Sequence, residues 1–154
     1  NCFYVDMEYC IFPLLYVTSF ACLNYPVYQY LLGSQTQSMN MANMIRRRNQ
    51  HLKVTKRLVS FYNKYENNLN IKVRENVALR IKYAIYNQYV IYLNMEPKES
   101  LKEIMEFDTW LKKQNKELYS GPKGKIMKYI KINRKIDYKL FVPVTAFFKK
   151  IGIL

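Results

Sequence analysis

Apolar and polar positions follow helical periods over most of this chain. Over residues 40–65, Met41, Met44, Ile45, Leu52, Leu58, Val59 and Tyr62 recur at spacings near three, four and seven. That pattern predicts a helix with Asn40 or Ser38 as its cap and an end at Asn67-Asn68. A second stripe, Val73, Val77, Ile81, Ile85, Tyr89 and Leu93, repeats every four residues and predicts a second helix. Ser100 and Glu103 have the Ser-x-x-Glu spacing of a capping box, which would open a third helix running to about Lys116, before Gly121-Pro122. Beyond that point the chain is basic and less regular, and Pro143 interrupts it.

The first forty residues read differently. Residues 6–17 carry apolar side chains on every side, as a buried helix would, and Pro13 marks its break or kink. Asn24-Tyr25-Pro26 makes a turn between two short β-compatible runs, residues 20–23 and 27–31. Residues 33–40 (GSQTQSMN) are a polar loop. The expected fold is therefore mainly α, a helical domain with a small β element near the N-terminus. No apolar run reaches the ~18 residues needed to span a bilayer. The chain opens on Asn1 in mid-pattern, so Asn1 is expected to be an internal position of a longer protein.

Composition narrows the class. Half of the 154 residues are hydrophobic and 23% are charged, the balance of a folded domain. The net charge of +14 is unevenly spread: residues 1–45 hold no Lys or Arg, and all 25 basic residues lie from Arg46 onward. Residues 121–154 carry nine of them against one acid, Asp137, a surface that attracts polyanions. Cys2, Cys10 and Cys22 lack zinc-type spacing and read as buried thiols in a reducing, cytoplasmic compartment.

Candidate chemistry is sparse. There is no clustered glycine loop for phosphate and no nucleophile elbow. The one histidine, His51, falls on a predicted helix among Arg46, Arg47, Arg48, Lys53, Lys56 and Arg57, and reads as a solvated or surface-lining side chain. Asp6 and Glu8 are the only acids of the neutral region. Their apolar neighbours Tyr4, Val5, Met7 and Tyr9 predict a partly desolvated carboxylate suited to act as a base; a carboxylate at a helix N-terminus is the structural alternative. Arg46-Arg47-Arg48 divides between a solvated face and contact with phosphate or an anionic surface.

Several short segments, taken in order, resemble a known pattern. Phe3–Tyr9 (FYVDMEY), Pro13-Leu14, residues 26–33 (PVYQYLLG), Gln37-Ser38-Met39 and Gln50-His51-Leu52-Lys53-Val54 look like the end of the catalytic domain of family-two glycosyltransferases. Those enzymes build bacterial capsular and exopolysaccharides. The resemblance covers residues 3–65. It implies that residues 1–38 are the tail of a nucleotide-sugar-binding α/β catalytic domain and residues 39–154 a basic helical C-terminal extension. It implies Asp6 as the base that deprotonates the acceptor hydroxyl, with Glu8 in support and Val5 in place of the usual Glu. Gln37 and Ser38 become candidate donor contacts, and Ser34 and Thr36 replace the family's Arg and second Gly. Arg46, Arg47, Arg48 and His51 become candidate contacts to an acceptor or an anionic surface.

No cofactor or metal is expected on this segment; a divalent magnesium or manganese belongs to the donor half of the whole enzyme, which in the family precedes this part. The expected partners are a nucleotide-sugar and a glycan or lipid-linked acceptor, with an anionic surface on the cytoplasmic side of the inner membrane. The segment alone is expected to be inactive. Two other classes compete. A basic helical nucleic-acid-binding module would use the charge and the 15 tyrosines, though no recognisable DNA-binding pattern is present. A membrane-surface or interaction module would use residues 140–154, with Phe141, Phe147, Phe148, Lys149 and Lys150.

Overall fold

The computed structural model describes residues 2–19, 21–26, 28–29 and 40–152. A short helix, α1 (Asp6–Ile11), runs into a 3₁₀ turn over Phe12–Leu15. Pro13 sits at the start of that turn, so the predicted break falls where proline removes a backbone donor. After the polar segment come α2 (Met41–Arg46), α3 (Arg48–Tyr65) and α4 (Ile71–Asn94), then α5 (Pro97–Gln114), α6 (Lys116–Tyr119), α7 (Lys125–Lys135) and α8 (Phe141–Lys150).

The middle of the molecule is organised by α4, whose 24 residues span about 36 Å. Asn70 caps it, its side-chain oxygen accepting the Val73 N–H at 3.0 Å. The stripe Val77, Ile81, Ile85, Tyr89 and Leu93 is buried as its spacing predicts, and Ala78, Ala84, Ile91 and Tyr92 are buried beside it. α4 is covered on so many sides because α2, α3, α5, α6 and α7 all pack against it. Facing it are Val54, Leu58, Val59 and Tyr62 of α3 and Ile104, Phe107 and Leu111 of α5. Each such side chain contributes about 1.5–3 kcal/mol on leaving water. Tyr4 and Ile11 join the same cluster through the packing of α1 on α3.

The mainly helical expectation holds, with several corrections. Among the described residues there is no strand: residues 21–23 and 28–29 have no regular structure, and the rest of the predicted β element lies outside the described residues. The predicted first helix is two, because Arg47 (φ −102°, ψ 14°) breaks it between α2 and α3. Asn40 does cap α2, accepting the Ala42 N–H at 3.0 Å. Ser100 and Glu103 form no capping box. α5 begins at Pro97, so Ser100 is buried inside the helix, bonding back to Pro97 O, while Glu103 pairs with Arg48. The basic C-terminal stretch is regular after all: Pro143 lies in the first turn of α8, where a missing N–H leaves no helical bond unmade. Of the thiols expected to be buried, Cys10 and Cys22 are exposed and Cys2 half-buried. Among the described residues no helix is long and apolar enough to cross a membrane.

Candidate functional site

The two segments that carried most of the sequence signal, residues 3–9 and 46–57, meet in space. Tyr4 starts the turn into α1 with φ 70°, a left-handed conformation that is strained for a bulky side chain. Its buried ring stands edge-on to His51, with centroids 5.1 Å apart. One residue earlier, the Arg47 guanidinium lies 3.4 Å above the Phe3 ring, and Gln50 Oε1 accepts the Phe3 N–H at 2.8 Å. Two turns along α3 from Gln50, Arg57 Nε approaches Glu8 Oε1 at 3.1 Å, a charge pair without hydrogen-bond alignment. Four side chains of the α2–α3 segment, Arg47, Gln50, His51 and Arg57, thus clasp the Phe3–Glu8 turn.

This clasp leaves Asp6 outward. Asp6 is exposed and lines a groove of about 360 Å³ with Met7, Cys10, Arg80, Tyr83 and Asn87. The desolvation expected of this acidic pair falls on Glu8 alone: Glu8 is buried against α3 and Asp6 is accessible. The physical reason is helical phase. Positions two apart on α1 point about 200° away from each other, so only one can face α3.

His51 is not a solvated side chain. It is 1% exposed, and its Nδ1 is hydrogen-bonded to the Gln88 side-chain amide at 2.6 Å. Burial pulls its pKa below the ordinary value of 6.5, and the Gln88 bond opposes that shift. The three consecutive arginines have three separate partners. Arg46 donates to Asn43 Oδ1 at 2.9 Å, Arg47 stacks on Phe3, and Arg48 grips both Glu103 oxygens through Nε at 3.0 Å, tying α3 to α5. They form no common anion-facing surface. Gln37 and Ser38 lie outside the described residues.

No family model, no curated protein and no solved structure matches this chain. Glu8 faces Arg57, Asp6 shares its groove with Arg80, and among the described residues no group of three or more His, Cys, Asp or Glu could hold a metal ion.

A second polar centre escaped the sequence. Asp108 on α5 is buried and accepts Tyr89 Oη at 2.6 Å, Arg134 Nε at 2.8 Å and Tyr119 Oη at 2.9 Å. Arg134 donates further to Tyr89 Oη and to the Tyr119 carbonyl, both at 2.9 Å, and its guanidinium lies over the Tyr119 ring. Burial, reinforced by the Asp108 charge, pushes the Tyr89 hydroxyl well above its ordinary pKa of 10. One carboxylate thereby ties together α4, α5, α6 and α7. Its only trace in the sequence is an acid in step with Ile104, Phe107 and Leu111 on the apolar face of α5. With three donors on its two oxygens, Asp108 fastens these helices to one another.

Proposed function

We propose that this chain is the acceptor-side, C-terminal part of a family-two glycosyltransferase, in which Asp6 is the base for the sugar acceptor. A sugar hydroxyl is a weak nucleophile, and a carboxylate within reach takes its proton as the oxygen attacks the anomeric carbon of the donor. The observation that carries the reading is the clasp: the segments 3–9 and 50–54, which resemble separate motifs of that family, pack on one another and leave Asp6 free at the edge of a groove. In this reading Arg47, Gln50 and His51 are positioning residues for Asp6. Glu8 supports it by holding α1 to α3 through Arg57.

The exposed apolar side chains nearby support the same view. Tyr9 is 83% exposed and Tyr16 80%, and Val17, Leu23, Tyr25 and Tyr28 are exposed as well. Exposed apolar side chains in this number mark an interface, and this reading seats the nucleotide-sugar-binding half there. The small β element and the α/β parent domain belong to this proposal, as do the nucleotide-sugar donor and the glycan or lipid-linked acceptor.

The test is transfer by the whole enzyme carrying Asp6→Asn, read as nucleotide release from a panel of nucleotide-sugars with an oligosaccharide or lipid-linked acceptor. Loss of a positioned base lowers the rate about 10²–10⁴-fold. Wild-type rate with Asp6→Asn removes the assignment.

A further inference from the structure

The solvent face of α8 carries a second, independent signal. Leu140, Val144, Phe147 and Ile151 follow one another at intervals of four, three and four residues. At about 100° per residue they fall within an arc of roughly 60°, one continuous stripe. Leu140, Phe147 and Ile151 are 55%, 58% and 49% exposed, and Val144 is half-buried. The opposite face of α8 is the one that packs: Phe141 and Thr145 are fully buried, and Lys149 Nζ donates to the Met95 carbonyl.

Alongside lies α7, held by Tyr129 against Phe141 and Phe148 and by a 2.7 Å bond between Tyr129 Oη and Thr145. One turn on from Tyr129, Ile132 is 57% exposed. Lys128, Lys131 and Lys135 are exposed on α7, Lys150 is exposed on α8 about 90° round from the stripe, and Lys139 is exposed just before α8. Among the described residues none of these five lysines forms an ion pair, and the nearest acid in sequence is Asp137 alone.

We propose that the α7–α8 face docks on an anionic lipid surface. Leu140, Val144, Phe147, Ile151 and Ile132 enter the boundary between headgroups and acyl chains, and the five lysines reach anionic headgroups. This is the arrangement of a helix lying in the plane of the interface, with an apolar stripe below and cations at headgroup height. Charge and chemistry select this occupant. A second copy of the same face would oppose lysines to lysines. Nucleic acid would satisfy the lysines but leave Leu140, Val144, Ile151 and Ile132 without a partner, because Phe147 is the one ring of the stripe on which a base could stack. The inference shares no residue with the Asp6 site and stands or falls separately from it.

The experiment is co-sedimentation of the full chain with vesicles of phosphatidylcholine alone and of equal parts phosphatidylcholine and phosphatidylglycerol. The chain pellets with the mixed vesicles only. Phe147→Ser with Ile151→Ser weakens binding at least tenfold, the loss expected from roughly two apolar side chains kept in water. Each Lys→Gln change at Lys128, Lys131 or Lys135 weakens it about fivefold, the equivalent of about 1 kcal/mol per cation at the surface. All these positions are exposed, so the far-ultraviolet circular dichroism stays that of the parent. A Phe147→Trp variant adds a direct reading, its emission moving to the blue on binding. The proposal is overturned if the serine variant binds the mixed vesicles as tightly as the parent, whether or not duplex DNA competes. It is equally overturned if the face drives self-association in sedimentation equilibrium that the serine variant abolishes while vesicle binding is absent.

Discussion

Asp108→Ala should be the most damaging single polar substitution in the helical body. The Asp108 and Arg134 side chains are only 9% and 10% exposed, so removing the carboxylate leaves a guanidinium with little water to replace it. Two tyrosine hydroxyls lose their acceptor at the same time, Tyr89 at 2.6 Å and Tyr119 at 2.9 Å. Breaking a buried pair from one side costs about 3–5 kcal/mol, and we take about 4 kcal/mol here. That is a large share of the 5–15 kcal/mol that holds a typical domain together. For a chain of this size it lowers Tm by roughly 8–16 °C. Urea unfolding followed by circular dichroism gives the difference directly. The companion variant, Asp108→Leu with Arg134→Met, removes both charges and should recover at least half of the loss, because the penalty lies in the orphaned ion. A loss below about 1 kcal/mol for Asp108→Ala, the size of an exposed pair, would refute the reasoning. So would a double variant no more stable than the single one.

Other consequences are simpler to measure. The depressed pKa of His51 means that the unfolded chain takes up a proton first as pH falls, so its contribution to stability is complete above about 6.5 and declines below it. Unfolding free energy between pH 7.5 and 5.5 should therefore fall less steeply in His51→Gln than in the parent, and parallel curves would exclude His51 as the source. Gly121 has φ +63°, and a Cβ there would come within 2.5 Å of the Met127 side-chain tip. Gly121→Ala should thus destabilise by about 1–2 kcal/mol in thermal melts, with no change an unexpected result. Glu103→Gln keeps one acceptor for Arg48 and loses the charge; because the pair is only partly buried, about 1 kcal/mol is expected, shrinking in high salt.

What was legible in the sequence follows from which interactions are local. The buried face of α4 could be read from Val77 to Leu93 because one helix must hide one stripe, and Asn40 could be read as a cap because a cap is a contact two residues long. Ser100 and Glu103 had the right spacing for a capping box, yet Pro97 is a better helix start and Arg48, distant in sequence, claims Glu103. His51 looked solvated because its sequence neighbours are cations. Lys53 and Arg57 lie on the exposed side of α3, while His51 turns inward between Tyr4 and Gln88. The Asp108–Arg134 centre joins residues 26 apart, and no periodicity points from one to the other. At the candidate site, the contact of residues 3–8 with Gln50, His51 and Arg57 joins positions more than forty apart and became visible only in three dimensions.

The most direct test of the acceptor-base assignment compares Asp6→Asn, Glu8→Gln and His51→Asn in the whole enzyme, with transfer rate and melting temperature measured on the same samples. The expected result is a rate about 10²–10⁴-fold lower for Asp6→Asn at parental Tm, because Asp6 is exposed and makes no packing contact that asparagine lacks. Glu8→Gln and His51→Asn should lower both rate and Tm, as residues that hold the turn in place. An Asp6→Asn enzyme that transfers sugar at the parental rate would contradict the assignment and leave the groove beside Asp6 without a catalytic role.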